Sequence, residues 1–271
     1  MLENNLLEEV VASIKQKPKY ATICPKFIER IAAQEILKRK SVRETERFSR
    51  RKLHQIAGAY LENHPNWKDW EIELEILPHH LKSSRVKEFC RLKMDSHAST
   101  RERIPILDSF FNLTLASLAP VHSILDLGCG LNILSLAWIP LADDPIYQGV
   151  DIFQDMLDFS TKFLQHFHFR GRMQCADILT SLPKQRAQLG LILKTLPVLE
   201  QLDESNVQSW LEKIPAEHLL VSYPVASLGG KGKGMESHYH DHFNSLLTQL
   251  GWQAQRFDFS SEIAYLIHRN P

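Results

Sequence analysis

The sequence has no apolar run approaching the ~20 residues that a membrane-crossing helix needs. Its opening, MLENNLLEEVV, is acidic and lacks the basic start of a secretory leader. A cytoplasmic protein without a membrane partner is the expectation. Cysteine is scarce: Cys24, Cys90, Cys129 and Cys175 are the only four in 271 residues, and none forms a CxxC pair. This argues against a disulfide framework or a zinc cluster, and no metal is assigned. Repeats and low-complexity tracts are missing too. Net charge is absent, with 32 Lys+Arg against 32 Asp+Glu. With 44% hydrophobic residues, the chain can still bury one large core or two modest ones.

The zero net charge hides a split. Residues 1–96 carry 19 Lys+Arg against 14 Asp+Glu, and residues 97–271 carry the opposite imbalance. Such asymmetry suggests a polyanion held mainly by one half. It is sharpest from Lys38 to Lys52, KRKSVRETERFSRRK, where eight basic residues meet two acidic ones. A solvated helix face is the alternative reading of that stretch.

Apolar spacing of three and four residues predicts helices within VVASIKQK, FIERIAAQEILKRK, ETERFSRRKLHQIAGAYLE and the stretch from His80 to Met94. Asn63–Pro65 and Pro78 interrupt them. The reading is an all-helical N-terminal domain over 1–96, arranged as two small bundles. From residue 97 the pattern changes. Ser99-Thr100-Arg101-Glu102 fits a capping box opening a helix to Leu118. Short apolar segments then alternate with helical ones: Ser123–Leu127, Ile146–Val150, Met173–Ala176, Leu189–Leu193 and Leu219–Tyr223. That alternation predicts an α/β domain over 97–271 with a mostly parallel sheet. Trp252–Phe259 and Ile263–His268 read as a closing antiparallel hairpin. The seven strands together predict a Rossmann-like class I methyltransferase fold.

The first strand ends in Leu125-Asp126-Leu127-Gly128-Cys129-Gly130. Glycines there allow a sharp turn and close approach of a ligand. The third glycine of a dinucleotide fingerprint is replaced by Ile133, which disfavours nicotinamide and flavin. S-adenosylmethionine, with no pyrophosphate, does not need that anion cradle. Asp151, ending the second strand, suits a ribose diol, or alternatively caps the next helix; Ile152 beside it joins the candidate cofactor set. Asp177 and Ile178, after the third strand, suit an adenine. Lys194 and Thr195, after the fourth, would face the transferred methyl group. In HASTRER (97–103), a helix start rich in cations could receive a carboxylate, with Arg103 as the contact, or could be ordinary capping and surface charge.

HASTRER (97–103), LDLGCGLN (125–132), LILKTLPVLEQ (191–201) and VSYPVASLGGKGKGME (221–236) together resemble the aminoglycoside-resistance methyltransferases of the Arm/Rmt/Sgm type. LHQIAGAY (53–60) and the basic N-terminus are also similar. The resemblance implies methylation of a guanosine N7 in the decoding site of 16S rRNA within the 30S subunit, by a monomer. It implies S-adenosylmethionine contacts at His97, Ala98, Ser99, Arg103, Gly128, Asp151, Asp177, Ile178 and Thr195, and further ones at Tyr60 and Gln201.

Guanine N7 offers a lone pair and carries no proton. No general base is therefore expected, and no catalytic acid–base pair is assigned. RNA contacts are expected at Lys38, Arg39, Arg43, Arg47, Arg50, Arg51 and Lys52, mainly to phosphates. The glycine-rich loop after the fifth strand adds Lys231, Lys233, Met235 and Glu236, unless it is an ordinary surface loop. His238-Tyr239-His240-Asp241-His242 reads as a helix start at a polar rim rather than a metal site. The competing functions are an adenine-N1 RNA methyltransferase, a non-catalytic RNA-binding protein and a small-molecule methyltransferase.

Overall fold

The computed structural model describes residues 2–39, 41–58, 65–225 and 235–269. The side chains of residues 2–4, 57, 58, 204 and 235–238 are likewise outside the described set. Three helices open the chain: α1 (Leu2–Lys15), α2 (Pro25–Ile36) and α3 (Val42–Leu53). They pack on one another as a bundle. Pro25 opens α2 at a position where its missing N–H costs nothing. Ser41 caps α3 by accepting from the Glu44 amide at 3.3 Å. A single turn of π-helix, His54–Gly58, follows.

The expected second bundle does not form. The helix α4 (Trp67–Glu75) packs on a helix of the α/β region, and α5 (Ser84–Met94) packs on the segment after the glycine turn. Each buries its apolar stripe there instead of against the other. The capping box fails as well. His97 is the N-cap of a single-turn α6 (Ala98–Arg101) and makes no side-chain cap bond. Glu102 is drawn instead to Lys194 Nζ at 2.7 Å. Pro105 then imposes a 3-10 turn, and α7 (Leu107–Thr114) starts anew, so no continuous helix reaches Leu118.

The sheet has seven strands: β1 (Val121–Leu127), β2 (Leu141–Asp151), β3 (Arg170–Cys175), β4 (Ala187–Leu193), β5 (Ala216–Pro224), β6 (Ala254–Asp258) and β7 (Glu262–His268). Their order is β3-β2-β1-β4-β5-β7-β6, parallel except for the antiparallel pairings of β7 with β5 and β6. All seven expected strands are present, and the closing hairpin inserts β7 beside β5. The helices α8 (Gln154–His166), α9 (Leu196–Asp203), α10 (Val207–Lys213) and α11 (Met235–Leu250) connect the strands. The β1–β2 crossover is a seven-residue 3-10 stretch, Asn132–Trp138, with every residue buried.

β1 and β4 are buried along most of their length because helices cover both faces. The apolar core runs without a break from Val10 to Ile267. It crosses the compositional boundary at 96/97. An isolated antiparallel bridge joins Ile23 to Phe153, and the Cys24 amide donates to the Ile152 carbonyl at 2.7 Å. Trp67 of α4 stacks on Phe159 of α8 and donates to Asp155 at 2.9 Å. The helical segment is thus fastened to the loop that follows β2.

Candidate cofactor cleft

The carboxyl ends of β1, β2, β3 and β4 open on one cleft, where α/β sheets place their ligands. Counting its open mouth, the cleft encloses about 720 Å³. Of the expected cofactor residues, His97 and Ser99 line it from the α6 turn, and Gly128 from the end of β1. Asp151 and Ile152 follow from β2, Asp177 and Ile178 from the end of β3, and Lys194 and Thr195 from β4.

Gly128 and Gly130 have φ of +71° and +48°, where a side chain is strained. A Cβ on Gly128 would lie 2.7 Å from Thr195 Cγ2 and 2.8 Å from Oγ1. Thr195 cannot easily yield, because its hydroxyl donates to the Leu127 carbonyl at 3.1 Å. The turn is held from the other side by Asp151. One carboxylate oxygen accepts from the Gly130 amide at 2.8 Å. The other accepts from the Ile152 and Phe153 amides at 2.7 and 3.3 Å. Burial raises the Asp151 pKa, and these backbone donors oppose the rise. The alternative role, capping α8, is not what Asp151 does: Phe153 is that helix's N-cap and makes no side-chain cap bond. A carboxylate has about four lone-pair sites, so one remains for a hydroxyl from the cleft.

Asp177 is more heavily engaged than its expected role suggested. Arg30 of α2 pairs with it through Nε and also through Nη2 at 3.3 Å, and the Leu179 amide donates to it at 3.2 Å. Trp210 Nε1 donates to the Ile178 carbonyl at 2.7 Å, fixing the same turn. At the opposite end, Lys194 has φ +58°, an uncommon conformation for a residue with a side chain. The backbone is tied there by the Lys194 amide donating to the Ser222 carbonyl at 3.0 Å. Lys194 Nζ reaches Glu102 at 2.7 Å and the Ser99 carbonyl at 3.3 Å. His97, fully desolvated and facing Arg103, Lys194 and Arg101, has its pKa lowered to about 4. Its imidazole is neutral.

Three expected contacts lie off the cleft wall. Arg103 is fully buried behind it, with its guanidinium bound to Glu262 at 2.7 Å and Asn132 at 3.1 Å. Ala98 is buried between two wall residues, and Gln201 points outward from α9 into solvent. Tyr60 lies outside the described residues. The sequence reading missed the apolar walls: Phe27 and Ile56 from the helical segment, and Phe153, Met156, Val198, Leu199 and Leu202 from the α/β region. It also left out Gly130, although the GxG spacing carried that signal. The apolar residues gave no signal distinct from ordinary core.

On α3, Arg43, Arg47 and Arg51 form an exposed stripe at four-residue spacing, with Lys38 exposed nearby. Arg39, Arg50 and Lys52 are half-buried and already occupied, by Glu35, Glu46 and Gln34. Lys231 and Lys233 lie outside the described residues, as do the side chains of Met235 and Glu236. The histidine motif falls on α11, where His240 meets the Tyr265 hydroxyl at 2.9 Å and His242 meets Glu200 at 3.0 Å. Among the described residues, no helix is long and apolar enough to cross a membrane.

A family model described as ribosomal RNA methyltransferase (FmrO) matches residues 16–266. A protein of Serratia marcescens named 16S rRNA (guanine(1405)-N(7))-methyltransferase is 31% identical, with 97% of this chain and 99% of that protein covered. A protein of Micromonospora rosea with the same name is 29% identical, with 97% of each covered. The crystal structure of the 16S rRNA methyltransferase RmtF in complex with S-adenosyl-L-homocysteine matches with a TM-score of 0.83 at 26% identity, covering 97% of this chain and 98% of that one.

Proposed function

The chain belongs to the FmrO family of ribosomal RNA methyltransferases, and we propose that it methylates N7 of guanine 1405 in 16S rRNA, the reaction for which its near-full-length relatives are named. The methyl donor is S-adenosylmethionine. The observation that carries this reading is the cleft: two carboxylates and apolar walls at the strand ends, closed on one side by the N-terminal helices.

The residues present fit the cofactor. Asp151 keeps one acceptor site for a ribose hydroxyl. Ile152, Ile178 and Phe27 offer apolar surface for an adenine, and Asp177 an acceptor beside it. His97, Ser99 and Lys194 lie at the other end, suited to the amino-acid arm, with Arg103 behind them. When bound, S-adenosylmethionine supplies a methyl group already activated by a sulfonium. The protein's task is to align and desolvate, which can supply about 7–11 kcal/mol of a barrier. Guanine N7 has no proton to remove, so this chemistry calls for no general base.

The division of labour at 96/97 is functional in this reading. The helical segment grips rRNA through the Arg43, Arg47 and Arg51 stripe and closes one side of the cleft with Phe27 and Ile56, and residues 97–271 supply the rest of the cofactor site. The substrate is the 30S subunit, met in the cytoplasm by a monomer, and the modification confers resistance to 4,6-disubstituted deoxystreptamines. The test is to incubate purified 30S subunits with labelled cofactor and map the product by mass spectrometry. A single N7-methylguanine at position 1405 is expected. A methyl group on an adenine N1 would overturn the target, and equally fast methylation of protein-free 16S rRNA would overturn the 30S requirement.

A further inference from the structure

Two of the four cysteines meet where the helical segment docks on the sheet. Cys24 is the N-cap residue of α2, with no side-chain cap bond closed, and Cys175 ends β3. They lie 151 residues apart in the chain. Both flank Ile152. The Cys24 amide donates to the Ile152 carbonyl at 2.7 Å, and the Cys175 sulfur lies 3.5 Å from the same oxygen. The Cys24 sulfur is 3.9 Å from the Cys175 carbonyl oxygen, and the Cys175 thiol hydrogen-bonds to the Cys24 sulfur. Both are free thiols; Cys24 is buried and Cys175 partly exposed, so the pair meets solvent on the Cys175 side.

We propose that Cys24 and Cys175 form a modification site, a dithiol that hydrogen peroxide converts to a disulfide stapling the helical segment to β3. The thiolate is the reactive form of a cysteine. The hydrogen bond from Cys175, with the Phe27 and Lys26 amides, outweighs burial and lowers the Cys24 pKa to about 6. Cys90 and Cys129 have no such partner, and burial raises both. In the first step the Cys24 thiolate attacks one peroxide oxygen. The O–O bond breaks, hydroxide leaves and takes up a proton, and Cys24 becomes a sulfenic acid, oxidised by two electrons as the peroxide is reduced. Cys175 then gives up its proton and attacks that sulfur. The S–S bond forms, the S–O bond breaks, and the oxygen leaves as water. In a reducing compartment such a bond is transient. The staple bears on the cleft because α2 carries Phe27 of its wall and Arg30, the partner of Asp177, two residues beyond Cys175.

The test treats the full-length protein with hydrogen peroxide and maps its peptides by mass spectrometry. A joined pair of peptides containing Cys24 and Cys175 is expected, released by dithiothreitol, with Cys90 and Cys129 still thiols. The closed loop is long, so the oxidised protein should unfold at a Tm about 4–16 °C higher, a gain that dithiothreitol reverses. Cys175→Ser removes the resolving thiol, and Cys24 should then stop as a sulfenic acid that dimedone traps. In Cys24→Ser, dimedone labelling of Cys175 should be at least about 10-fold weaker, because the low-pKa thiol is gone. Peroxide that leaves both thiols free would overturn the proposal, as would Cys24 passing to a sulfinic acid with no joined peptides. Oxidation of Cys90 or Cys129 as fast as Cys24 would overturn it too, since the reaction would then report unfolding. Joined peptides with an unchanged or lower Tm would refute the staple, and equal dimedone labelling of the two single variants would refute Cys24 as the nucleophile. The wild-type map and its Tm need no variant, so a serine protein that fails to fold leaves the proposal open to refutation.

Discussion

Replacing Asp151 by asparagine changes no shape but removes one acceptor. In the native structure its two oxygens take the Gly130 amide on one side and the Ile152 and Phe153 amides on the other. An asparagine must turn its NH2 toward one of these. Facing Gly130 sacrifices a single bond, so that orientation is preferred. It leaves the Gly130 N–H without a partner at a buried turn, which costs about 1–3 kcal/mol. At roughly 2–4 °C per kcal/mol for a chain of this size, Tm should fall by about 2–12 °C. The variant also loses the charged acceptor left for the ribose. A charge-assisted hydrogen bond is worth about 1.5–3 kcal/mol, so the Kd of S-adenosylhomocysteine should rise on the order of 10–150-fold. Scanning calorimetry and titration calorimetry on the same preparation give both numbers. An Asp151→Asn protein that lost stability but kept its affinity would show that Asp151 supports the turn without touching the ligand. One that kept both would refute the argument entirely.

Gly128→Ala should cost about 2–4 kcal/mol by thermal unfolding, from left-handed backbone strain and the clash with Thr195; adding Thr195→Ser, which removes the Cγ2 that a new Cβ would meet at 2.7 Å, should recover part of that. The His97 ring should stay neutral until about pH 4, checked by its nitrogen chemical shifts, and a titration near its ordinary 6.5 would refute its desolvation. Because its folded pKa lies below the ordinary value, its contribution to stability is full above about 6.5 and is lost as pH falls toward 4, on the order of 3 kcal/mol. Asp126, raised by burial to about 6 from 3.8, acts in the opposite sense: its contribution is present at low pH and lost as pH rises through 6. His97→Asn should therefore gain stability relative to wild type as pH is lowered from 6.5 to 4. Alanine at Arg43, Arg47 or Arg51 should weaken 30S binding and reduce its salt slope by about one per arginine, with S-adenosylhomocysteine affinity unchanged.

The strands were legible because apolar segments of the right length alternated with amphipathic ones, and the sheet order follows from how such units wind. Their ends were less so. β2 starts at Leu141 rather than Ile146, since Asp143, Asp144 and Pro145 read as a turn, yet Leu141 pairs with Val121 across an irregularity. The capping box was a sound local reading defeated by a tertiary one: Glu102 gains more from the Lys194 ammonium than from its own helix start. The carboxylates Asp151 and Asp177 were readable from strand-end positions alone. Glu262 was not, because its partner Arg103 lies 159 residues away and nothing in the sequence near either residue points to the other. The apolar cleft walls were hidden for a different reason. Phe27, Ile56, Leu199 and Leu202 follow the same helical spacing as any core residue, and only the fold tells which of them face a ligand. The 3-10 crossover after Gly130 escaped as well, since a wholly buried apolar run carries no helical periodicity.

The most direct measurement is a crystal structure of the protein grown with S-adenosylhomocysteine. The account predicts the nucleoside in the cleft beside Gly128, with a ribose hydroxyl on Asp151 and the amino-acid carboxylate at the Lys194 end. Electron density for the nucleoside anywhere else, or with its ribose away from Asp151, would contradict it.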